Sequence, residues 1–495
     1  MHASKNVFAL LRLTFLLPLA YAVDPLILNV LDFGAVGDGI TDDTSGIRQA
    51  LQQGPYSVSK VVWLPPNHIF LSQPLNVTSN TTLQIDGVLK SLNQEPTWPR
   101  MQPLPNYNTS EDGPYLQYQA LLYAANAENV IITGSGEVDG NGDWWWKNFQ
   151  NRSSHLLQAG RPNIVQTLHC RNIEISHLTF RDSPFWCIHP VLSVNVWIHH
   201  VTIRARTYAP NSDGIDPDSC QDVILEYNDV GCGDDNIAVK AGRCGSKHDH
   251  LSCIEDSRFV HGAFATDNVT IRHNIFRNGM GIAIGSESSG SIRNVDVHDN
   301  QVGVCRSGHD CVEKANRDFF HKKYLADNDV SVIPEIQDSF SNYGKDDEAC
   351  CGWGPGLHVK TTVSRGGVLE NITFANNVIF NNSMFLLLEG HYQNGGSDSL
   401  PSGYDPVKIR NISFVENQAL GAALSATFDC PVVSACEAII VKNNVILGAI
   451  QTNTNPWSCR NIATYDIWNN IPKGLVNCMN QSNWESLTLK DSSII

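Results

Sequence analysis

The chain has 495 residues, 14 cysteines and a formal net charge of -16, with 17% charged against 42% hydrophobic residues. That balance excludes a disordered tail and a counterion-releasing nucleic-acid binder, which needs clustered Lys and Arg. It leaves an anionic ligand open, because a few basic groups can gather inside an acidic molecule. The length suggests about three domains, although solenoids run long as single units.

Residues 1–22 read as a secretory signal. Lys5 precedes the apolar run from Val7 to Ala20, interrupted by Arg12, and Ala20-Tyr21-Ala22 is a small-residue cleavage site. The run is too short to span a bilayer, and nothing later is long and apolar enough to do so. The mature chain is therefore expected to be exported, free of membrane and monomeric. Cysteine usage agrees: Cys244/Cys253, Cys305/Cys311 and Cys430/Cys436 read as small disulfide loops, and the even total fits full pairing. Zinc would call for a CxxC unit with a matching second pair, and the chain has no CxxC. N-x-S/T acceptors at Asn76, Asn80, Asn108, Asn151, Asn268, Asn371, Asn381, Asn411 and Asn480 predict a glycosylated surface in a eukaryotic host. Further along, Trp144-Trp145-Trp146 could stack on sugar rings or anchor a coil.

From Asn129 onward one phrase recurs: Asn or Asp with alternating apolar residues, then a second Asn or Asp with more alternation. It stands at Asn172, Asn195, Asp222, Asn268, Asn294, Asn371 and Asn411, and more loosely near Ile439, with a unit of about two dozen residues sometimes counted twice. Period-two alternation predicts short strands, and the Asn residues are turn formers that tolerate a left-handed backbone. Strand–turn–strand units at this spacing predict a parallel β-solenoid, an all-β fold whose coils bury their apolar faces by stacking. An antiparallel β-sandwich would show hairpin dipeptides instead. The polar segment at about 305–352, with His321-Lys322-Lys323 and Cys350-Cys351, interrupts the repeat and reads as a disulfide-tethered loop or a surface decoration.

The densest chemistry lies in Asn211-Ser212-Asp213-Gly214-Ile215-Asp216 and Gly233-Asp234-Asp235-Asn236. Asp213 and Asp234 are 21 residues apart, close to one coil, and residues one coil apart sit on neighbouring strands. Three carboxylates could meet on one face. Such a cluster is unfavourable unless one keeps a proton, and a protonated acid beside an ionised base is what glycoside hydrolysis requires. Turn formation and calcium are the competing readings, though no EF-hand-type loop is present.

These phrases carry a resemblance. Phe33-Gly-Ala-Val-Gly-Asp-Gly-Ile-Thr-Asp-Asp-Thr44, Ser183-Pro-Phe-Trp-Cys-Ile-His-Pro190, Tyr208-Ala-Pro-Asn-Ser-Asp-Gly-Ile-Asp-Pro-Asp-Ser-Cys220 and Gly233-Asp-Asp-Asn-Ile-Ala-Val-Lys240 resemble glycoside hydrolase family 28, the polygalacturonases and related pectin hydrolases, most closely the exo-acting branch. The resemblance implies a right-handed parallel β-helix over residues 23–495 and inverting hydrolysis of α-1,4-linked galacturonate in pectin. It implies Asp234 as general acid, Asp213 and Asp235 holding and activating water, and Lys360 binding a substrate carboxylate, with no cofactor or metal. Asn211, Met280 and His358 complete the expected substrate contacts. Two departures stand out: Gly279-Met280-Gly281 where the family has Gly-His-Gly, and His358 where it has an Arg two residues before the lysine. Methionine offers no useful donor, and histidine replaces a cation only when protonated, below ~6.5. Cleavage of galacturonan, cleavage of another pectic backbone such as rhamnogalacturonan, and non-catalytic pectin binding all remain open. A pectin-lyase-type elimination is a further alternative, but the Asp phrases match the hydrolases. His248 and His250 could supply the lost imidazole or lie in a solvated loop, and Arg243 and Arg365 read as turn or substrate residues.

Overall fold

The computed structural model describes residues 25–92, 97–107, 117–150, 160–244, 262–304, 352, 354–380, 382, 384–392, 405–420, 425–447 and 457–471. The signal segment, the segment at 305–352 apart from Gly352, His248, His250, the cysteines at 253, 305 and 311 and the acceptors at 108, 151, 381 and 480 lie outside them.

Among the described residues, nearly every strand pair is parallel, and the strands stack into three sheets. The first sheet runs through thirteen strands from Leu26–Asn29 to Tyr465–Trp468, and the second through twelve from Asp38–Asp42 to Val445–Ile446. The third comes in two runs, one ending at Ile188–Val191 and one starting at Ile237–Val239. Ile215 and Asp218 join the runs, bridging Ile188 to Ile237 and Val191 to Lys240 respectively. Each coil therefore crosses all three sheets, which makes the fold a parallel β-helix.

The two Asn positions of the recurring phrase have separate jobs. The first, at Asn129, Asn172, Asn195, Asp222, Asn268, Asn294, Asn371 and Asn411, takes φ between 54° and 59°, a left-handed kink that turns the first-sheet strands. The second is buried. Asn228, Asn274, Asn300, Asn377, Asn417, Asn444 and Asn470 stack coil upon coil, each Nδ2 donating to the next Oδ1 at 2.9–3.0 Å. Each rung satisfies groups that would otherwise be orphaned in the core.

Between the sheets the inward positions form aliphatic and aromatic stacks. Ile188, Ile215, Ile237, Ile282, Leu357 and Leu386 follow one another in third-sheet register, all fully buried. Burial of such a side chain is worth ~1.5–3 kcal/mol, so the inward rows fix the register and hence what stands outward. The helix Thr44–Leu51 closes the N-terminal end with Ile47, Ala50 and Leu51. Asp43, from the N-terminal phrase, is buried and accepts from the amides of Val36 at 2.6 Å, Gly37 at 3.2 Å and Leu71 at 3.2 Å. That phrase serves the fold rather than the chemistry. Trp145 and Trp146 are core residues: Trp145 packs edge-on against Trp98 and Tyr118, and Trp146 donates to the Ser183 carbonyl at 3.1 Å.

Full pairing of the cysteines does not hold. Cys430–Cys436 is a disulfide and Cys244 and Cys459 are also disulfide-bonded, but Cys170, Cys187, Cys220 and Cys232 are free and buried inside the helix. They pack as small apolar side chains, and burial pushes each thiol upward, which keeps it unreactive.

Candidate active site

The site lies on the outward face of the third sheet, where its two runs meet. Asp213 precedes the bridging residue Ile215; Asp234 and Asp235 precede the strand Ile237–Val239. Because Ile215 pairs with Ile237, and the Gly214 amide donates to the Asp235 carbonyl at 3.0 Å, Asp213 stands one coil from Asp235. One carboxylate oxygen from each of Asp213, Asp234 and Asp235 falls within 4.8 Å of the others. Asp213 and Asp235 are buried, whereas Asp234 keeps part of its surface in solvent.

Two lysines hold this negative charge in place. Lys360, at the end of the strand Pro355–Lys360, sets its ammonium 2.5 Å from Asp235 Oδ2. Lys240 is buried between Glu287 at 3.3 Å, Asp213 at 3.5 Å and Asp216 at 3.9 Å, with its ammonium 4.2 Å from the Trp186 ring centroid. Asp216 is fully buried, and neither of its carboxylate oxygens has a hydrogen-bond partner, so Lys240 is its compensation.

Burial, followed by the neighbouring Asp235 charge, raises Asp234 from 3.8 to about 6, against the opposing pull of Lys360. Asp213 is pushed well above the ordinary carboxylate range by burial, then by Asp216 and Asp234, with Lys240 opposing. Glu287 goes the other way: burial would raise it, but Lys240, Arg365 and Arg243 outweigh that and hold it well below the usual range. One patch thus holds carboxyls that keep a proton beside one that does not. The trio could also accept a hard cation, although the lysines already supply positive charge there.

The other expected contacts sit around this centre in different ways. Met280 lies one coil beyond Asp235, its amide donating to the Asp234 carbonyl at 2.8 Å, so its backbone holds the turn at Asp234. Asn211 has φ 49° and accepts from Arg161 Nη2 at 2.8 Å. His358 is buried, with Nε2 3.3 Å from Glu389 Oε2 but outside hydrogen-bonding geometry. Burial lowers its pKa in spite of Glu389, which disfavours the charge that a guanidinium would carry there. Arg243 and Arg365 are buried and contribute charge to Glu287.

Several residues beside the site had no assigned role in the sequence, although His189, Asp216, Asp218 and Lys240 stood inside the quoted phrases. His189 is buried 3.3 Å from Asp218 Oδ2. Asp218 in turn accepts from Tyr107 Oη at 2.6 Å and from Asn106 Nδ2 and the Gly242 amide, each at 2.8 Å. Asn106 and Tyr107 come from a segment more than a hundred residues upstream, laid across the sheet face beside the carboxylates. No local spacing could have found them. A shallow hollow at Asp42, Thr44, Arg48 and Gln73 lies at the N-terminal cap and contains none of these residues.

A parallel β-helix with a buried cluster of carboxyls on one outward face fits the frame of a polysaccharide-cleaving hydrolase. Residues 62–309, half of the chain, match the glycosyl hydrolases family 28. The chain belongs to that family and is a polygalacturonase-like O-glycosyl hydrolase. It is 28% identical to a probable polygalacturonase of Vitis vinifera, covering 88% of this chain and 77% of that relative. Its fold is similar to an exopolygalacturonase from Thermotoga maritima, with a TM-score of 0.66, 24% identity and 93% of each chain covered. It is also similar to a family 28 exopolygalacturonase of Yersinia enterocolitica, with a TM-score of 0.67, 18% identity and coverage of 90% of this chain and 75% of that one.

Proposed function

We propose that this chain is secreted after loss of residues 1–22, folds as one β-helix, and hydrolyses α-1,4-galacturonosyl linkages of pectin with inversion from chain ends. The carrying observation is the carboxyl cluster: Asp234, raised to about 6, beside Asp235 with Lys360 on its oxygen. Below about 6 Asp234 keeps the proton that the leaving glycosidic oxygen needs. Asp235 and Asp213 face the same space and act on the water, Asp235 as the member whose charge the Lys360 ammonium compensates. As an anionic sugar enters, Lys360 turns part of its charge to the substrate carboxylate, which frees Asp235 to take the water's proton. End-on action is supported by the segment carrying Asn106 and Tyr107, which is anchored to Asp218 beside the site.

A second reading, rhamnogalacturonan as backbone, is favoured by one observation. His358 is buried, faces Glu389 and has its pKa lowered by burial, so its position is a poorer cation for a uronate than an arginine and suits an uncharged sugar. Incubation with polygalacturonate and with rhamnogalacturonan, followed by assay of reducing ends and product size, separates the two. Galacturonate monomers released below about pH 6 support the first reading. Cleavage of rhamnogalacturonan alone supports the second, and turnover of neither between about pH 4 and about pH 7 defeats both.

A further inference from the structure

On the outward side of the first sheet, at a distance in the fold from the carboxylates, three histidines converge. His177 follows the strand Arg171–Ser176, His199 ends the neighbouring strand Val194–His199, and His200 is the next residue. Ser176 and His199 are register partners, so the group spans two adjacent coils. One ring nitrogen from each histidine lies within 4.8 Å of the others, and the Nδ1 atoms of His199 and His200 are 2.9 Å apart. His177 and His200 are exposed, take left-handed φ of 61° and 55°, and stack on each other with ring centroids 5.2 Å apart.

His199 differs from its two neighbours. It is 95% buried, stacked on Trp197 at 3.7 Å, and its Nε2 makes no hydrogen bond. That nitrogen lies 3.5 Å from Glu174 Oε1, and Glu174 is held by a 3.1 Å hydrogen bond from Ser176 Oγ. A histidine with one nitrogen turned to a cluster of imidazoles and the other toward an anchored carboxylate has the order of metal, imidazole and carboxylate by which proteins orient a metal-binding ring.

We propose that His177, His199 and His200 form a binding site for a borderline divalent transition metal such as Zn2+, with Glu174 orienting His199 and water in the open position. Imidazole ligands select zinc, nickel and copper over hard cations. Two nitrogens on one tetrahedral ion at ~2.0–2.1 Å stand roughly 3.3 Å apart, so the 2.9 Å pair has only to relax slightly. The ion ties one coil to the next, and its role is to clamp the solenoid. The linear sequence hides the site, because its ligands come from two coils and not from a CxxC-type run.

The test uses the full secreted chain, stripped with chelator, and titrates it with Zn2+ alone by calorimetry and with Co2+ by visible absorption. One equivalent of Zn2+ is expected, with a rise in Tm and a tetrahedral Co2+ spectrum. An oxygen-ligated ion at the carboxylate trio would give no such spectrum. The double variant His177→Ala/His200→Ala, altered only at exposed residues, should lose the spectrum and the Tm rise while cleaving pectic substrate at the parent rate. Glu174→Gln should weaken Zn2+ binding by about tenfold or more. No stoichiometric binding, or binding unchanged in the double variant, would overturn the proposal. Zn2+ affinity equal in Glu174→Gln and parent would overturn the orienting role.

Discussion

Asp234→Asn should damage activity and improve stability together, and the improvement should depend on pH. In the folded chain Asp234 is raised from 3.8 to about 6, chiefly by burial and then by Asp235. Between those two values the folded state holds a proton that the unfolded state has released, so stability falls as pH climbs through that window. A rise of that size corresponds to about 3 kcal/mol. Asp234 keeps part of its surface in solvent, so about 1–2 kcal/mol is the expectation once the charge is screened. An Asn removes the penalty with little change of shape. Its benefit is absent below the unfolded pKa near ~3.9, grows through the window and is complete above about 6. The same change deletes the proton donor, and hydrolysis of pectic substrate should fall by about 10²–10⁴-fold. Urea unfolding of the parent and Asp234→Asn at about pH 4 and about pH 7, with reducing-end assays on the same samples, tests both halves. A stability difference equal at the two pH values, or a rate within a factor of about three of the parent, would refute the assignment of Asp234 as a strained acid.

The remaining expectations concern its surroundings. Lys240→Met leaves Asp216 buried without its cation and removes one of the cations beside Asp213 and Glu287, and should cost about 3–5 kcal/mol in urea unfolding at neutral pH. Asn300→Ala removes one rung of the interior ladder and strands its neighbours' polar groups, a loss of about 1–3 kcal/mol by the same measurement. Met280→His with His358→Arg should raise turnover on galacturonan over rhamnogalacturonan if these two positions limit it, and an unchanged ratio of kcat/KM would clear them of that role. Stereochemistry is the sharpest check on mechanism. The site's carboxylate oxygens lie within 4.8 Å, closer than the ~6.5–9.5 Å usual for inverting enzymes. Proton NMR of the first-formed anomer should nevertheless show inversion, and a retained anomer would make one of these aspartates a nucleophile.

The fold was legible because its determinants are periodic. A left-handed Asn and an alternating strand recur each coil, and that pattern survives even where a coil lengthens from 26 to 46 residues between Asn228, Asn274 and Asn300. Asp213, Asp234 and Asp235 were legible for the same reason, being nearly one coil apart with short connections between. Lys240 and Glu287 were harder, since a 47-residue separation hides the fact that their side chains meet. Asn106 and Tyr107 reach Asp218 from outside the repeat, where no period applies. The cysteine count misleads because an even total in an exported chain suggests full pairing, whereas four cysteines are buried in the core and free among the described residues.

The repeat also explains how an acidic protein can face an acidic polymer. Outward positions of the third sheet run in register through Val191, Asp218 and Lys240, and again through Lys360, Glu389, Asp429 and Arg460. Gly285, following the strand Ile282–Ile284, separates the two lysines, and its amide donates to the Val239 carbonyl at 2.8 Å. A Cβ there would stand 2.0 Å from the Lys360 carbonyl, and φ at 101° disfavours any side chain, so this step of the row stays empty. The two lysines consequently divide the carboxylates between them: Lys240 is committed to Asp213, Asp216 and Glu287 inside the wall, while Lys360 touches Asp235 and borders the gap. Lys240 faces three carboxylates whereas Lys360 pairs with Asp235 alone, so turning Lys360 toward a substrate carboxylate uncovers a single internal charge. The net charge of -16 is then no barrier to binding, because the relevant field is that of one cation at a gap whose neighbouring carboxyls, Asp213 and Asp234, are raised toward their neutral forms.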